Sequence, residues 1–177
     1  MSEVKRYTTT MVILHWVLAV FIFGAIFMGA FILDEMENVH PQKMLLLTLH
    51  ILVGVAILSF TVFRLILRFT SPIPVAIPGK NPWLNKLATL VHYLLYLLTT
   101  MTALAGIILA VKADLPTIVF GHIGTLPKDY EEFLTHEAHS IFANLLLLTI
   151  LLHIAAALYH QFILKDGLLS RLSFRKD

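Results

Sequence analysis

Four histidines lie inside long apolar segments of this chain: His15, His50, His139 and His153. A neutral imidazole is a frequent ligand of transition metals and of haem iron. His139 and His153 are fourteen positions apart, which on a helix separates them by about 21 Å along the axis and by only about 40° in direction. One helix could therefore supply an axial ligand to each of two iron sites at different depths.

The composition predicts that these residues lie in a membrane. Of the 177 residues, 58% are hydrophobic and 14% are charged, and the mean hydropathy is +0.84, unlike a soluble domain. Apolar runs at 11–33, 44–67, 84–111 and 140–164 each exceed the roughly 20 residues that cross a bilayer as a helix. The first run is too long for a removable signal peptide, so we interpret it as a retained span.

The predicted fold class is therefore all-α, a membrane four-helix bundle. We expect a single transmembrane domain over residues 1–177, with helices at about 8–33, 42–68, 84–111 and 136–165. The lipid bilayer is then the first partner of the chain.

The basic residues predict the orientation, because Lys and Arg near helix ends stay on the cytoplasmic side. With both termini inside a bacterial inner membrane, ten basic residues are cytoplasmic: Lys5, Arg6, Arg64, Arg68, Lys80, Lys86, Lys165, Arg171, Arg175 and Lys176. Three are periplasmic: Lys43, Lys112 and Lys128. Eight acids also fall outside: Asp34, Glu35, Glu37, Asp114, Asp129, Glu131, Glu132 and Glu137. The net charge of +2 averages two opposite faces and indicates no nucleic acid partner.

Depth predicts how the histidines pair. His50, near the outer end of the second helix, matches the depth of His139, whereas His15, near the inner end of the first, could partner His153 or His160. A residue four positions on lies over nearly the same helix face, where a flat macrocycle needs a small side chain. The four histidines are followed there by Ala19, Gly54, Ala143 and Ala157, but His160 is followed by Leu164. This favours His15 with His153 as the inner pair and His50 with His139 as the outer pair.

Two absences narrow the chemistry further. The chain has no cysteine, which excludes iron–sulfur clusters, thiolate-ligated haem, covalent c-type attachment and disulfides. Intramembrane histidines also serve proton relays and metal-ion channels, but those usually add carboxylates at mid-depth. This chain has none there, so the pattern favours two non-covalently bound haem groups.

Three further residues are candidates for the cofactor sites. Arg64 lies fourteen positions after His50, hence on the same helix face and level with the inner pair, where it could bind a haem propionate. The alternative is a plain anchor on the cytoplasmic side. His92 and His160, both near the inner boundary, could hydrogen-bond a quinone head group or a propionate, and the alternative for each is an ordinary interfacial histidine.

The segment from Lys112 to about Glu137 is the only long outer loop. It contains an apolar patch of Ile118, Val119 and Phe120. Such a patch could lie on the bilayer surface or cap a site.

Taken together, these motifs resemble the bacterial cytochrome b561 family over essentially the whole chain. They are Ile13-Leu14-His15-Trp16, His50 with Gly54 and Arg64, residues 92–98 from His92 to Leu98, His139 with Ala143-Asn144-Leu145, and His153 with His160 and Lys165-Asp166.

The resemblance implies a four-helix cytochrome of the inner membrane with two haem b groups, whose axial ligands are His15, His50, His139 and His153. His160 would be a quinone contact. The implied activity is that of an oxidoreductase, carrying electrons from a small periplasmic donor, superoxide in one family member, to ubiquinone.

Two alternatives from other classes remain open at this point. The chain could be the cytochrome b subunit that anchors and wires a partner dehydrogenase or hydrogenase, with a redox protein as its partner. It could also be a haemless channel or scaffold that contains histidines.

Overall fold

The computed structural model describes residues 6–72, 74, 82–130 and 132–173. Helix α1 (Thr9–Met28) continues into a π-helical turn at Gly29–Leu33 and is followed by α2 (Lys43–Thr70), α3 (Pro82–Lys112) and the short α4 (Leu115–Val119). Helix α5 (Leu134–Tyr159) runs into a second π-helical turn at His160–Leu164, and a 3₁₀ helix spans Leu168–Leu172.

Four of these helices are long and apolar enough to cross a membrane. The spans are Thr9–Leu33, Lys43–Thr70, Asn85–Lys112 and Leu134–Leu164, which confirms the predicted all-α four-helix architecture. At 28 residues, α2 is about 42 Å long and extends beyond the roughly 30 Å hydrocarbon core. Of the charged residues used to predict orientation, Lys5, Lys80, Glu131, Arg175 and Lys176 lie outside the described residues.

The helices are apolar around most of their circumference. Large hydrophobic side chains such as Val20, Phe27 and Leu151 are exposed on the isolated chain, because lipid rather than protein is their solvent. The order of close helix packing is α1 on α2, α2 on α3 and α3 on α5. Helices α1 and α5 make little direct backbone contact, which leaves the interior between them to side chains.

The two ends of the described chain meet at one end of the bundle. The Tyr7 backbone N–H donates to the Arg171 carbonyl at 3.4 Å, and Trp16 Nε1 donates to the Leu172 carbonyl at 3.3 Å. Following the predicted orientation, we call this the inner end and the opposite one the outer end. The 3₁₀ helix thus lies against the start of α1.

The outer end is closed by the connection between α3 and α5. Leu115, Ile118 and Val119 of α4 are buried, and Leu115 and Val119 pack in a cluster with Ala110 and residues of α2. The apolar patch predicted in this loop therefore lies mostly inside the protein rather than on the lipid, although Phe120 remains exposed.

Two further contacts join the outer loops. Lys43 Nζ, which is buried, donates to the carbonyls of Leu33 and Met36 beyond the end of α1. Asn38 Nδ2 donates to the Pro127 carbonyl at 2.6 Å. Nearby, burial raises the pKa of Tyr130 to about 12, so its phenol stays neutral across the ordinary pH range.

Candidate functional site

The inner pair of imidazoles reaches across the space between α1 and α5. The ring centroids of His15 and His153 are 6.4 Å apart, and the ring planes are inclined by 73°. A metal bound midway, at about 2 Å from a nitrogen of each ring, would place the two centroids roughly 6 Å apart. The observed separation therefore suits a shared iron.

The outer pair joins α2 to α5 in the same way. The centroids of His50 and His139 are 6.1 Å apart with an interplanar angle of 77°. Both pairs thus consist of one ring from α5 and one from an earlier helix. The two α5 residues differ by fourteen positions, so the pairs lie at two depths about 21 Å apart.

Helix α3 fixes the orientation of one outer ring. His139 Nδ1 lies 2.8 Å from the Thr102 carbonyl, so this nitrogen carries the proton that it donates. The other ring nitrogen, Nε2, is then left with its lone pair, as ligation of a metal requires. One turn further along α3, a Cβ on Gly106 would lie 3.0 Å from His139 Cε1 and Nδ1. Glycine at this position therefore leaves room for the ring to lie against α3.

The other outer ring has an unsatisfied nitrogen. His50 Nδ1 is buried and has no hydrogen-bond partner among the described residues, which is uncommon for a buried polar atom. Its Cε1 lies 3.4 Å from the position of a Cβ on Gly29, where the π-helical turn begins. A ring held closely with an unpaired nitrogen fits a group that binds something other than protein.

A narrow apolar cavity adjoins His50 between α1 and α2. Its volume is about 150 Å³, and its lining includes Phe21, Gly24, Met28 and Val53. A Cβ on Gly24 or on Gly54 would meet nothing within 4 Å. Small residues thus leave open, non-polar space beside this ring, which suits the edge of a flat macrocycle.

Arg64 lies beside the inner pair, and its guanidinium already donates hydrogen bonds to other groups. Its Nε donates to Tyr96 Oη at 3.1 Å, and one terminal nitrogen donates to the Met11 carbonyl at 3.1 Å. These bonds tie α2 to α3 and to the start of α1. Since a guanidinium has five N–H donors, they leave donors for an acidic group such as a propionate.

The remaining two predicted residues occupy different places. The His92 ring lies 5.3 Å from that of His153, so it adjoins the inner pair. His160 lies apart from that pair, in the second π-helical turn, where its Nδ1 is 2.6 Å from Asp166 Oδ2.

Sequence reasoning missed several contributors to these sites. Four residues act through contacts between helices, which spacing along one helix does not reveal: Thr102, Gly106, Gly29 and Tyr96. The sequence offered one signal for the contact with α3: Thr102 and Gly106 are four positions apart, and residues four apart lie on one face of a helix. Asp166 was noticed only as part of a motif.

Comparison with known proteins identifies the family to which the chain belongs. The sequence model of the prokaryotic cytochrome b561 family matches residues 6–174. The chain belongs to this family. It is thus a multi-pass membrane cytochrome, and the family implies b-type haem and suggests electron transfer across the membrane.

Three curated relatives match the chain over nearly its full length, each alignment covering 97% of it. A probable superoxide oxidase CybB of Yersinia pestis is 26% identical over 98% of its own length. Cytochrome b562 of Cereibacter sphaeroides is 31% identical over 98% of its length. Cytochrome b561 homolog 1 of Escherichia coli is 27% identical over 99% of its length.

Proposed function

We propose that this chain is a dihaem b-type cytochrome that carries single electrons between a periplasmic one-electron donor and the ubiquinone pool. The observation that carries the proposal is the presence of two imidazole pairs, with centroids 6.4 and 6.1 Å apart, at two depths of one bundle. Family membership supports haem as the group between the rings.

In this proposal, His15 and His153 hold the inner haem, and His50 and His139 hold the outer one. Haem held between two imidazoles would supply one-electron oxidation and reduction there and would leave no open position for a substrate atom. The protein therefore supplies position, a dry surrounding and fixed ring orientation. Thr102 orients His139, and Arg64 with His92 lies where an inner propionate would need a hydrogen-bond donor.

The donor and the acceptor would meet opposite ends of the bundle. The basic residues of the inner end support cytoplasmic termini, which makes the outer end periplasmic. Ubiquinone would then be reduced at the inner end, where His160 lies on the haem-facing side of α5. Superoxide is the donor implied by the name of the Yersinia pestis relative.

The charge of the outer end bears on that donor. Lys43 is buried and hydrogen-bonded to carbonyls, so Lys112 and Lys128 are the exposed cations among the described outer residues. Seven carboxylates are exposed there: Asp34, Glu35, Glu37, Asp114, Asp129, Glu132 and Glu137. Because superoxide is an anion, this face favours a neutral or cationic one-electron donor over superoxide.

Haem quantitation tests the core of the proposal. The purified protein should show a b-type reduced-minus-oxidised spectrum with two haem groups per chain. The variants His50→Ala and His153→Ala should each retain one haem, whereas His40→Ala, at an exposed outer histidine, should retain two. One haem in the unaltered protein, or two in either ligand variant, would contradict the assignment.

Electron transfer tests the two reactants separately. Fully reduced protein mixed with a short-chain ubiquinone should be reoxidised, and oxidised protein mixed with superoxide or with a cationic reductant should become reduced. Absence of reoxidation by ubiquinone would exclude ubiquinone as the electron acceptor. Absence of reduction by superoxide beyond the spontaneous background would exclude only superoxide as the donor.

A further inference from the structure

The chain reverses sharply after the second π-helical turn and returns towards α5. Lys165 and Gly167 both have left-handed backbone conformations, with φ of 50° and 70°. That conformation is unfavourable for a lysine, which lacks the freedom of glycine. The reversal carries the carboxylate of Asp166, which lies between them, back onto the His160 ring.

Both carboxylate oxygens of Asp166 are hydrogen-bonded. Oδ2 accepts from His160 Nδ1 at 2.6 Å, and Oδ1 accepts from the Leu168 backbone N–H at 3.1 Å. The second bond begins the 3₁₀ helix and holds the carboxylate in place. A charge-assisted hydrogen bond as short as the first one is strong and directional.

His160 has the right position to exchange protons beside the inner site. It lies seven positions after His153, hence on nearly the same face of α5 and about 10 Å closer to the inner end. The side chains of His160 and Asp166 are 23% and 13% exposed, so water reaches the pair. The imidazole thus lies between the inner histidines and the aqueous phase.

We propose that Asp166 is a positioning residue that makes His160 the proton donor to the quinone. This inference rests on the proposed function. With Nδ1–H bound to the carboxylate, Nε2 is directed away from it, and the carboxylate balances the positive charge when Nε2 is also protonated. Nε2–H then donates to a quinone carbonyl oxygen.

The stoichiometry of the reaction is complete with the reactants already named. Two electrons reach the quinone one at a time from the one-electron donor, and each oxygen of the quinone gains one proton. His160 delivers one of these protons and is reprotonated by water at the inner end. The second proton also comes from water, so the product is the quinol.

The test compares two oxidants on the reduced protein. Short-chain ubiquinone takes up protons with electrons, whereas ferricyanide takes electrons alone. Asp166→Asn preserves the shape and removes the charge, so we expect the reoxidation rate by ubiquinone to fall at least about tenfold and the rate with ferricyanide to stay unchanged. Asp166→Glu restores the charge and should recover much of the ubiquinone rate.

Ser170→Ala is the matched control, since Ser170 Oγ donates within the same segment, to the Gly167 carbonyl at 2.7 Å. It should leave both rates unchanged. An Asp166→Asn variant as fast as the unaltered protein with ubiquinone would overturn the inference, as would loss of both rates or of haem, or a Glu variant as slow as the Asn variant. If the unaltered protein reacts with ferricyanide but not with ubiquinone, the proposed function is wrong in naming ubiquinone as the acceptor, and the role of Asp166 is not what has failed.

Discussion

An imidazole that must face a metal needs its other nitrogen fixed, and His139 meets that need through α3. The Thr102 carbonyl holds Nδ1 at 2.8 Å, and Gly106 lets the ring lie against the backbone. Loss of a partner of this kind typically costs about 10- to 100-fold in metal affinity or activity. The outer pair thus depends on two residues of α3 that contact the His139 ring.

Gly106→Ala is predicted to weaken the outer site. The new methyl group would lie 3.0 Å from two ring atoms of His139, and such overpacking costs about 1–3 kcal/mol, or roughly fivefold to a hundredfold in haem affinity. Haem titration of the apoprotein measures the effect. Gly29→Ala is the control, because its methyl group would contact His50 at an ordinary 3.4 Å and should leave haem affinity nearly unchanged. Equal affinities for the two variants would contradict the prediction.

Arg64→Gln is predicted to lower the midpoint potential of the proposed inner haem. A positive charge favours the reduced, less positive iron, so removing it makes reduction harder. An interaction of about 1 kcal/mol corresponds to about 40 mV for one electron, and the expected shift is of that order. Potentiometric titration measures it. Arg68→Gln, one turn further towards the inner end, should shift the potential less, and an upward shift for Arg64→Gln would contradict the argument.

At the scale of elements, the stability of a membrane span depends on how the backbone groups at its ends are hydrogen-bonded. Helix α1 ends in a π-helical turn at Gly29–Leu33, and Lys43 from the start of α2 donates to the carbonyl of Leu33 and to that of Met36 beyond the turn. A buried amine is costly unless it is fully hydrogen-bonded. Lys43 is thus a structural cap rather than a surface charge that an anion could use.

Lys43→Met is predicted to destabilise the protein by about 2 kcal/mol, because buried carbonyl groups lose their donor. Thermal unfolding in detergent, followed by helical circular dichroism, measures the change. Lys112→Met removes an exposed lysine at the same end and should have little effect. Equal unfolding temperatures for the two variants would show that the buried amine does not cap α1.

Hydropathy and helical period were sufficient to predict the four spans, because each span must present apolar side chains to lipid almost all round. The same period predicted that His139 and His153 share a face. The π-helical turns, the burial of α4 and the Lys43 cap were not predictable, since they arise from contacts between distant segments. The return of Asp166 onto His160 depends on a left-handed lysine that no residue preference indicates.

The whole molecule is electrically polarised along its axis. Exposed carboxylates dominate the described outer end, whereas Arg64, Arg68 and Lys165 lie towards the inner end. A field of this kind changes the encounter rate of charged reactants and is screened by salt over about 10 Å at 0.1 M.

The dependence of haem reduction on ionic strength should therefore differ between donors. With anionic superoxide, added salt screens repulsion by the outer end, so the reduction rate should rise several-fold between about 0.01 and 0.3 M salt. With a cationic reductant such as hexaammineruthenium(II), the rate should fall. Stopped-flow haem absorbance measures both, and a superoxide rate that falls with salt would show that the outer end attracts anions.

Both imidazole pairs take one ring from α5, the last of the four spans to leave the ribosome. Until it has inserted, His15 and His50 have no opposite ring. Pigment loading would then follow translation instead of accompanying it, and a nascent chain stalled after α3 should emerge colourless.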